Sequence, residues 1–280
     1  MVEVLFGLQQ LPVAEAVEKF VGDVTQNFSF LFQFLETSGK TLMRSVTNGL
    51  LAIPPVVFIV LIALAAFFAT GRKLGLAVFS VFGLLFILNQ NLWKELMNTV
   101  TVVSFSSLIS VVIGIPLGIW MAKSKVMNFI TEPILDLMQT MPAFVYLIPA
   151  VAFFGIGRVP GVFASIIFAL PPVVRFTNLG IRQVPEELVE ASESFGSTPA
   201  QKLFKAELPL AKPTIMAGVN QTVLLSLSMV VIASMIGAPG LGKNVLTSLQ
   251  KAEVGTGFVA GISLVILAII FDRLMQSFAK

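Results

Sequence analysis

The residues best able to make specific polar contacts crowd into one stretch, VPEELVEASESFGSTPAQKLFKAELP at 184–209, set between two long apolar segments. Five carboxylates, Glu186, Glu187, Glu190, Glu193 and Glu207, face only Lys202 and Lys205 there. A charge near the centre of a bilayer costs about 2.5 to 3.5 kcal/mol, so this island does not cross one. Nor do its carboxylates have a histidine or cysteine to work with, because the chain contains neither. That excludes disulfides, thiolate and imidazole metal sites, and Cys-His or Ser-His-Asp catalysis. With no nucleophile-base pair in view, neither a catalytic residue nor a metal ligand is assigned. What the stretch offers instead is a docking surface. Its grammar is helix, elbow, helix: Pro185 suits a first helical turn, Gly196 a left-handed C-terminal position, and Thr198 can cap a second helix that starts at Pro199. Leu188, Ala191 and Phe195 share one face of the first helix, and Leu203, Phe204 and Leu208 offer a patch on the second. Such a hairpin needs a partner to cover it; the plain alternative is a solvated loop.

A second group of residues is suited to letting a solute pass. From Asp136 to Ile181 the chain reads DLMQTMPAFVYLIPAVAFFGIGRVPGVFASIIFALPPVVRFTNLGI, where prolines and glycines interrupt the helical hydrogen-bond ladder repeatedly. In lipid such breaks persist only where protein or a water-filled cavity satisfies the freed backbone groups. The translocation path and gate are therefore assigned to Met141, Pro142, Phe144, Tyr146, Pro149, Pro171 and Pro172. Tyr146, the single tyrosine, and Phe144 have faces that attract an organic cation; the same rings can equally pack or face lipid. Ionisable groups are scarce inside the apolar segments. Glu132 and Asp136 at the start of one, and Asp272 with Arg273 at the end of another, can all reach an interface. Uphill transport without buried ionisable groups must draw its energy from elsewhere, and the 184–209 hairpin is the candidate inlet.

The elements that must position these groups follow from composition. With 56% hydrophobic residues, 12% charged and a mean hydropathy of +0.93 over 280 residues, the chain is a polytopic all-α membrane protein. A span needs roughly 20 apolar residues, which predicts about seven transmembrane helices, at 50–70, 74–92, 96–121, 133–154, 159–174, 214–237 and 254–271. The fifth is short, and Pro142 and Pro149 break the fourth. Ahead of them, Val13, Val17, Phe20, Val24, Phe28, Leu31 and Leu35 recur at helical spacing among charges, predicting an amphipathic N-terminal helix at the membrane interface or on the flank of the bundle. A polar stretch at 36–48 follows. The opening MVEVLFGLQQLP shows no positive n-region or cleavage pattern, so no cleaved leader is expected. The formal charge of +3 comes from Lys and Arg scattered at segment ends, a topology signal without a nucleic-acid footprint. Arg72, Lys73, Lys123, Lys125, Arg175, Arg182, Lys202, Lys205, Lys212, Arg273 and Lys280 fall on one side, predicted cytoplasmic, against Lys94, Arg158, Lys243 and Lys251. The N-terminus is then external and the C-terminus cytoplasmic. Trp93 and Trp120 are expected in the aromatic belts, and Gly114-x-x-x-Gly118, Ala233-x-x-x-Gly237 and Gly257-x-x-x-Gly261 permit close helix contact.

The hairpin also carries a recognisable pattern. Glu190-Ala191-Ser192, then Gly196, then Leu208-Pro209 resembles the EAA signature of ABC importer permeases, with matching spacing; Ser192 replaces an alanine and Ala206 an isoleucine. Together with DLMQTMPAFVYLIPAV, the segment around Ala169-Leu170-Pro171-Pro172, and SMVVIASMIGAPGLG at 228–242, the chain from about residue 98 onward resembles the permease subunit of glycine betaine/proline osmoprotectant ABC importers. The resemblance implies a type I ABC importer permease fold. The expected organisation is an amphipathic region at 1–49, accessory transmembrane helices at 50–95, and a core permease domain at 96–280 with a cytoplasmic coupling hairpin at 184–209. It implies ATPase-coupling roles for Glu190, Ala191, Ser192, Gly196, Leu203, Phe204, Leu208 and Pro209. The implied partners are a second copy of the chain, two cytoplasmic ATPase subunits that hold ATP and its magnesium, an extracellular substrate-binding protein, and the lipid bilayer of a bacterial plasma membrane. In some members of the family the binding protein is fused to the permease; here the chain ends just past the last span, so a separate binding protein is expected. The chain has no G-x-x-x-x-G-K-[ST] and is not itself expected to hydrolyse ATP. A second reading, a secondary carrier or osmotically gated channel with the hairpin docking a soluble partner, would differ in its energy source.

Overall fold

A computed structural model describes residues 11–278, and every regular element among them is helical. The sequence read for a leader, except for its last two residues, and the basic residue Lys280 lie outside the described residues. In chain order the helices are α1 (Val13–Asn27), α2 (Ser29–Ala52), α3 (Pro55–Ala69), α4 (Leu74–Asn89), α5 (Trp93–Lys123) and α6 (Lys125–Thr140). A 3-10 turn (Ala143–Tyr146) leads into α7 (Leu147–Phe154), followed by α8 (Arg158–Arg182), α9 (Glu186–Ser194) and α10 (Pro199–Lys202). A π-helical turn (Leu203–Glu207) then joins α11 (Leu208–Ser234), with α12 (Leu241–Gln250) and α13 (Val254–Phe278) completing the chain.

The centre of the molecule is α8, packed between α5 and α11. Small residues on both neighbours make this possible. A Cβ placed on Gly118 of α5 would lie 2.6 Å from the Val174 carbonyl oxygen, and one on Gly218 of α11 would lie 2.6 Å from Phe176 Cβ. Helices in lipid gain little from hydrophobic expulsion, so such backbone approach is how they gain van der Waals contact. Val173 and Val174, on the α8 face toward α5, are fully buried. Thr222 of α11 donates to the Ala169 carbonyl at 2.9 Å, just before Pro171 and Pro172. Neighbouring side chains of this kind steady a span that carries proline. Accordingly α8 continues helically through both prolines to Arg182, well beyond the 159–174 expected from hydropathy alone.

Elsewhere proline does break the chain, because the residue before it is driven out of the α region. Ile53, before Pro54, is extended, with φ −75° and ψ 123°, and α2 and α3 meet at 95°. Met141, before Pro142, has φ −69° and ψ 136°, and the two arms Lys125–Thr140 and Ala143–Phe154 meet at 107°. The segments expected at 50–70 and 133–154 are therefore not straight crossings. Among the described residues four helices are long and apolar enough to span, or up to six if each bent pair is one span, and Leu74–Asn89 is a shorter apolar helix. Trp93 also departs from expectation. It is buried edge-on against Phe58, with centroids 5.5 Å apart, whereas Trp120 is exposed.

The helices ahead of the core are fastened to it by polar as well as apolar contacts. Arg158, the first residue of α8, donates to Thr47 Oγ1 at 2.9 Å and to the Met43 carbonyl at 3.4 Å, both on α2. Its other terminal nitrogen donates to Asn98 Oδ1 on α5 at 2.7 Å. Thr47 in turn shares a hydrogen bond with Thr101 of α5 at 2.9 Å. Nearby, Phe32 of α2 stacks on Phe153 of α7 with centroids 4.8 Å apart. These contacts hold α2 at the end of the bundle where α8 begins, opposite the hairpin that follows its last residue.

Candidate functional site

The 184–209 stretch folds as helix, elbow, helix, and each local feature has a cause in the sequence. α9 ends at Ser194 with Phe195 as its C-cap, after which Gly196 adopts φ +79°. Only glycine takes that conformation without a Cβ penalty. The turn closes as a Schellman motif: the Ser197 amide donates to the Ser192 carbonyl at 3.1 Å and the Gly196 amide to the Glu193 carbonyl at 2.8 Å. Thr198 then begins the next helix with a reciprocal capping box. Its Oγ1 accepts from the Gln201 amide at 3.3 Å while the Gln201 side chain accepts from the Thr198 amide at 2.9 Å. Across the elbow, Lys202 pairs with Glu193. The hydrogen bond from Lys202, and then its charge, hold the Glu193 carboxyl below its ordinary range. The same hydrogen bond raises Lys202.

Phe195 is 91% exposed, Phe204 66% and Leu188 47%. Three large apolar side chains on one short exposed hairpin, beside exposed Glu190 and Ala191, form a surface suited to a protein partner. The remaining candidates lie differently. Leu203 and Leu208 turn inward onto Ile181, Ala211 and Ile215, so they seat the hairpin on the bundle and only Phe204 of that trio stays outside. The reason is the π-helical turn, which changes the angular spacing of successive side chains. Ser192 is half-buried, and its hydroxyl has no hydrogen-bond partner among the described residues. Pro209 is exposed in the first turn of α11. Glu207, one of the five carboxylates of the polar stretch, is buried and paired with Lys123 at the end of α5.

The seven candidates for the path differ in burial. Tyr146 is buried, and its hydroxyl donates to the Met138 carbonyl at 2.7 Å, across the break between α6 and the 3-10 turn. It packs in a cluster with Met141 and Met229. Its ring is thus occupied by packing. Pro171 and Pro172 are buried inside α8, with the Pro172 carbonyl facing Gly218. Phe144 is exposed, Pro142 is exposed at the break, and Pro149 is half-buried in α7.

Residues 114–280 match the family of the binding-protein-dependent transport system inner membrane component. The chain is 55% identical over 272 residues, 96% of each chain, to the glycine betaine/carnitine transport permease protein GbuB of Listeria monocytogenes serotype 1/2a (strain 10403S). This chain belongs to the binding-protein-dependent ABC importer permeases. The permease is also 46% identical over 270 residues to the glycine betaine transport system permease protein OpuAB of Bacillus subtilis (strain 168), covering 96% of this chain and 95% of that one. It is 47% identical over 270 residues to the glycine betaine/proline betaine permease protein ProW of Escherichia coli (strain K12), covering 96% of this chain and 76% of that one. Among solved structures, the inward-facing MetNI methionine ABC transporter matches with a TM-score of 0.59 and 22% identity, over 67% of this chain and 95% of that chain. At that identity the likeness is one of fold.

Four basic residues of the permease, read from sequence only as topology markers, prove to be structural centres. Besides Arg158 and Lys123, Arg175 of α8 pairs with Asp136 and lies 3.5 Å from Glu132, both on α6. Arg182 donates to Asn178 at 2.8 Å and to the Met121 carbonyl at 3.0 Å, and Asn178 donates to Asn128 at 2.8 Å. The signal was present in the spacing. Arg175, Asn178 and Arg182 stand at i, i+3 and i+7, one polar stripe along a helix. Ending the predicted span at 174 left that stripe in a loop.

Proposed function

We propose that the permease is the membrane-spanning subunit of an ATP-driven importer for glycine betaine or a related quaternary-amine solute. The observation that carries the coupling role is the exposed, rigidly capped hairpin with Leu188, Phe195 and Phe204 on its surface. The substrate class follows from similarity over nearly the whole chain to permeases named for glycine betaine. In this reading a cytoplasmic ATPase seats on the hairpin. Glu190, Ala191, Gly196 and Phe204 form the contact, Ser192 and Pro209 shape it, and Leu203 and Leu208 transmit from beneath. Two copies of the chain enclose the path, one ATPase subunit serves each, and a substrate-binding protein delivers solute to the opposite face. The hairpin end is cytoplasmic, the N-terminus external and the C-terminus cytoplasmic, in keeping with the distribution of Lys and Arg. Counting each bent pair as one crossing and including α4 gives the seven crossings. We assign 1–49 to an N-terminal amphipathic region, 50–95 to accessory helices and 96–280 to the permease core. Opening of the break at 141–142, beside Phe144 and Tyr146, is our choice for the gate, with Pro149, Pro171 and Pro172 shaping the flanking helices.

The test is Gly196→Pro. Proline fixes φ near −65°, against +79° here, and removes the amide that donates to Glu193. The variant should insert in the membrane yet lose both glycine betaine uptake and the transport-linked ATPase of the assembled complex. Unchanged uptake would refute the assignment.

A further inference from the structure

The joint between hairpin and bundle is a π-helical turn, Leu203–Glu207, inside an otherwise continuous helical run at 199–234. The Leu208 amide donates to the Leu203 carbonyl, one residue further back than in an α-helix. Its cause is Pro209, which has no amide hydrogen and clashes with the carbonyl four residues before it; widening the preceding turn relieves that conflict. Single π-turns of this kind recur at functional sites. The widening has a consequence for Glu207. Its side chain is 5% exposed and points into the bundle, where it pairs with Lys123, the last residue of α5. Removing one partner of such a pair strands the other group away from water, which is strongly destabilising. Leu203 and Leu208 on the same turn pack against Ile181, which belongs to α8. Thus α5, α8 and α11 all converge on one turn at the root of the hairpin.

Building on the coupling role assigned to the hairpin above, we propose that the Lys123–Glu207 pair, seated on the π-helical turn, is the joint through which hairpin movement is transmitted to α5. Motion of the hairpin reaches α8 and α11 through the chain itself, and α5 indirectly through its packing on α8 and the Arg182 hydrogen bond to the Met121 carbonyl; the pair adds a direct polar tie from the turn to α5. Lys123 and Glu207 are then positioning residues: Glu207 is buried beneath the hairpin, and Lys123, partly exposed, reaches it from the end of α5.

The experiment uses the complex purified with its ATPase and binding protein and reconstituted in vesicles, with radiolabelled glycine betaine taken up per ATP hydrolysed as the readout. Lys123→Met, Glu207→Gln and the double variant are compared with Lys123→Arg, which keeps the charge. The expected result is that each single variant assembles with its ATPase while solute moved per ATP falls roughly tenfold, as for loss of a typical coupling energy. The double variant should be no worse than either single one, and Lys123→Arg should retain most of the ratio. An unchanged ratio in Lys123→Met and Glu207→Gln would overturn the proposal. So would loss of ATPase co-purification in these variants, because the pair would then serve assembly alone. Failure of the unaltered complex to couple glycine betaine uptake to ATP would instead strike the importer reading, and so the two failures are distinguishable.

Discussion

Replacing Gly118 with alanine puts the packing of α5 on α8 to a direct test. The added methyl carbon would lie 2.6 Å from the Val174 carbonyl oxygen and 2.6 Å from Thr177 Cβ. A carbon-oxygen contact settles at about 3.3 to 3.6 Å, so the helices must separate locally by roughly 0.7 to 1 Å. One obstacle is backbone and the other a β-branched Cβ, so rotamer change gives little relief. Overpacking of this kind costs about 1 to 3 kcal/mol, and backbone contact places the site near the upper end. Against it stands a gain of about 1 kcal/mol from replacing glycine by alanine inside a helix. The net expectation is a loss of about 2 kcal/mol. Gly261 in α13 is the matched control, because nothing lies within 4 Å of a Cβ built there, and Gly261→Ala should be neutral or stabilising by up to about 1 kcal/mol. Unfolding of the purified permease in mixed micelles, followed by loss of helical circular dichroism against denaturing detergent, measures both. If Gly118→Ala matched or exceeded Gly261→Ala in stability, the close approach of α5 and α8 would be refuted.

Other contacts give sharper local expectations. Tyr146→Phe removes the hydrogen bond to the Met138 carbonyl and should cost about 1 kcal/mol in the same assay; no change would mean that the bond does not hold the break at 141–142. Arg158→Met leaves Thr47, Asn98 and the Met43 carbonyl without their shared donor. It should cost about 1.5 to 3 kcal/mol and expose α2 to limited proteolysis, whereas unaltered protection of α2 would count against the tie. The Glu193–Lys202 pair predicts a pH window. The lowered carboxyl contributes stability above its unfolded pKa that disappears as pH falls through its folded value. The raised ammonium contributes stability below its unfolded pKa that disappears as pH rises through its folded value. Protection of the elbow amides should therefore begin to fall below about pH 4.3 and above about pH 10.4, and Lys202→Met should abolish the acid limb.

How much of this was legible in the sequence depends on the range of the forces involved. The elbow was, because glycine at 196, the Thr198 cap and the proline at 199 each act on the nearest turn. The membrane class was, because hydropathy is summed along a segment. The breaks at Pro54 and Pro142 were visible as residues but not as angles of 95° and 107°, since proline only forbids a continuation and packing chooses the new direction. Pro171 and Pro172 look like breakers yet lie within a helix that neighbouring groups support. Trp93 and Glu207 depart from expectation for a common reason: residue type points the one to an aromatic belt and the other to a polar hairpin, and each has a partner, Phe58 or Lys123, that is remote in sequence. Nothing local distinguishes Gly114 and Gly118, which meet α8, from Gly261, whose added Cβ would meet open space.

The central claim is that ATP hydrolysis at a partner on the hairpin drives uptake of a quaternary amine. Purifying the complex with its co-isolated subunits, sealing it into vesicles, and measuring glycine betaine accumulation with ATP present and all ion gradients collapsed tests that claim directly. Accumulation against a concentration gradient that stops when ATP is withdrawn is the predicted result. Accumulation that survives without ATP and disappears with the ion gradients would contradict it and identify a secondary carrier.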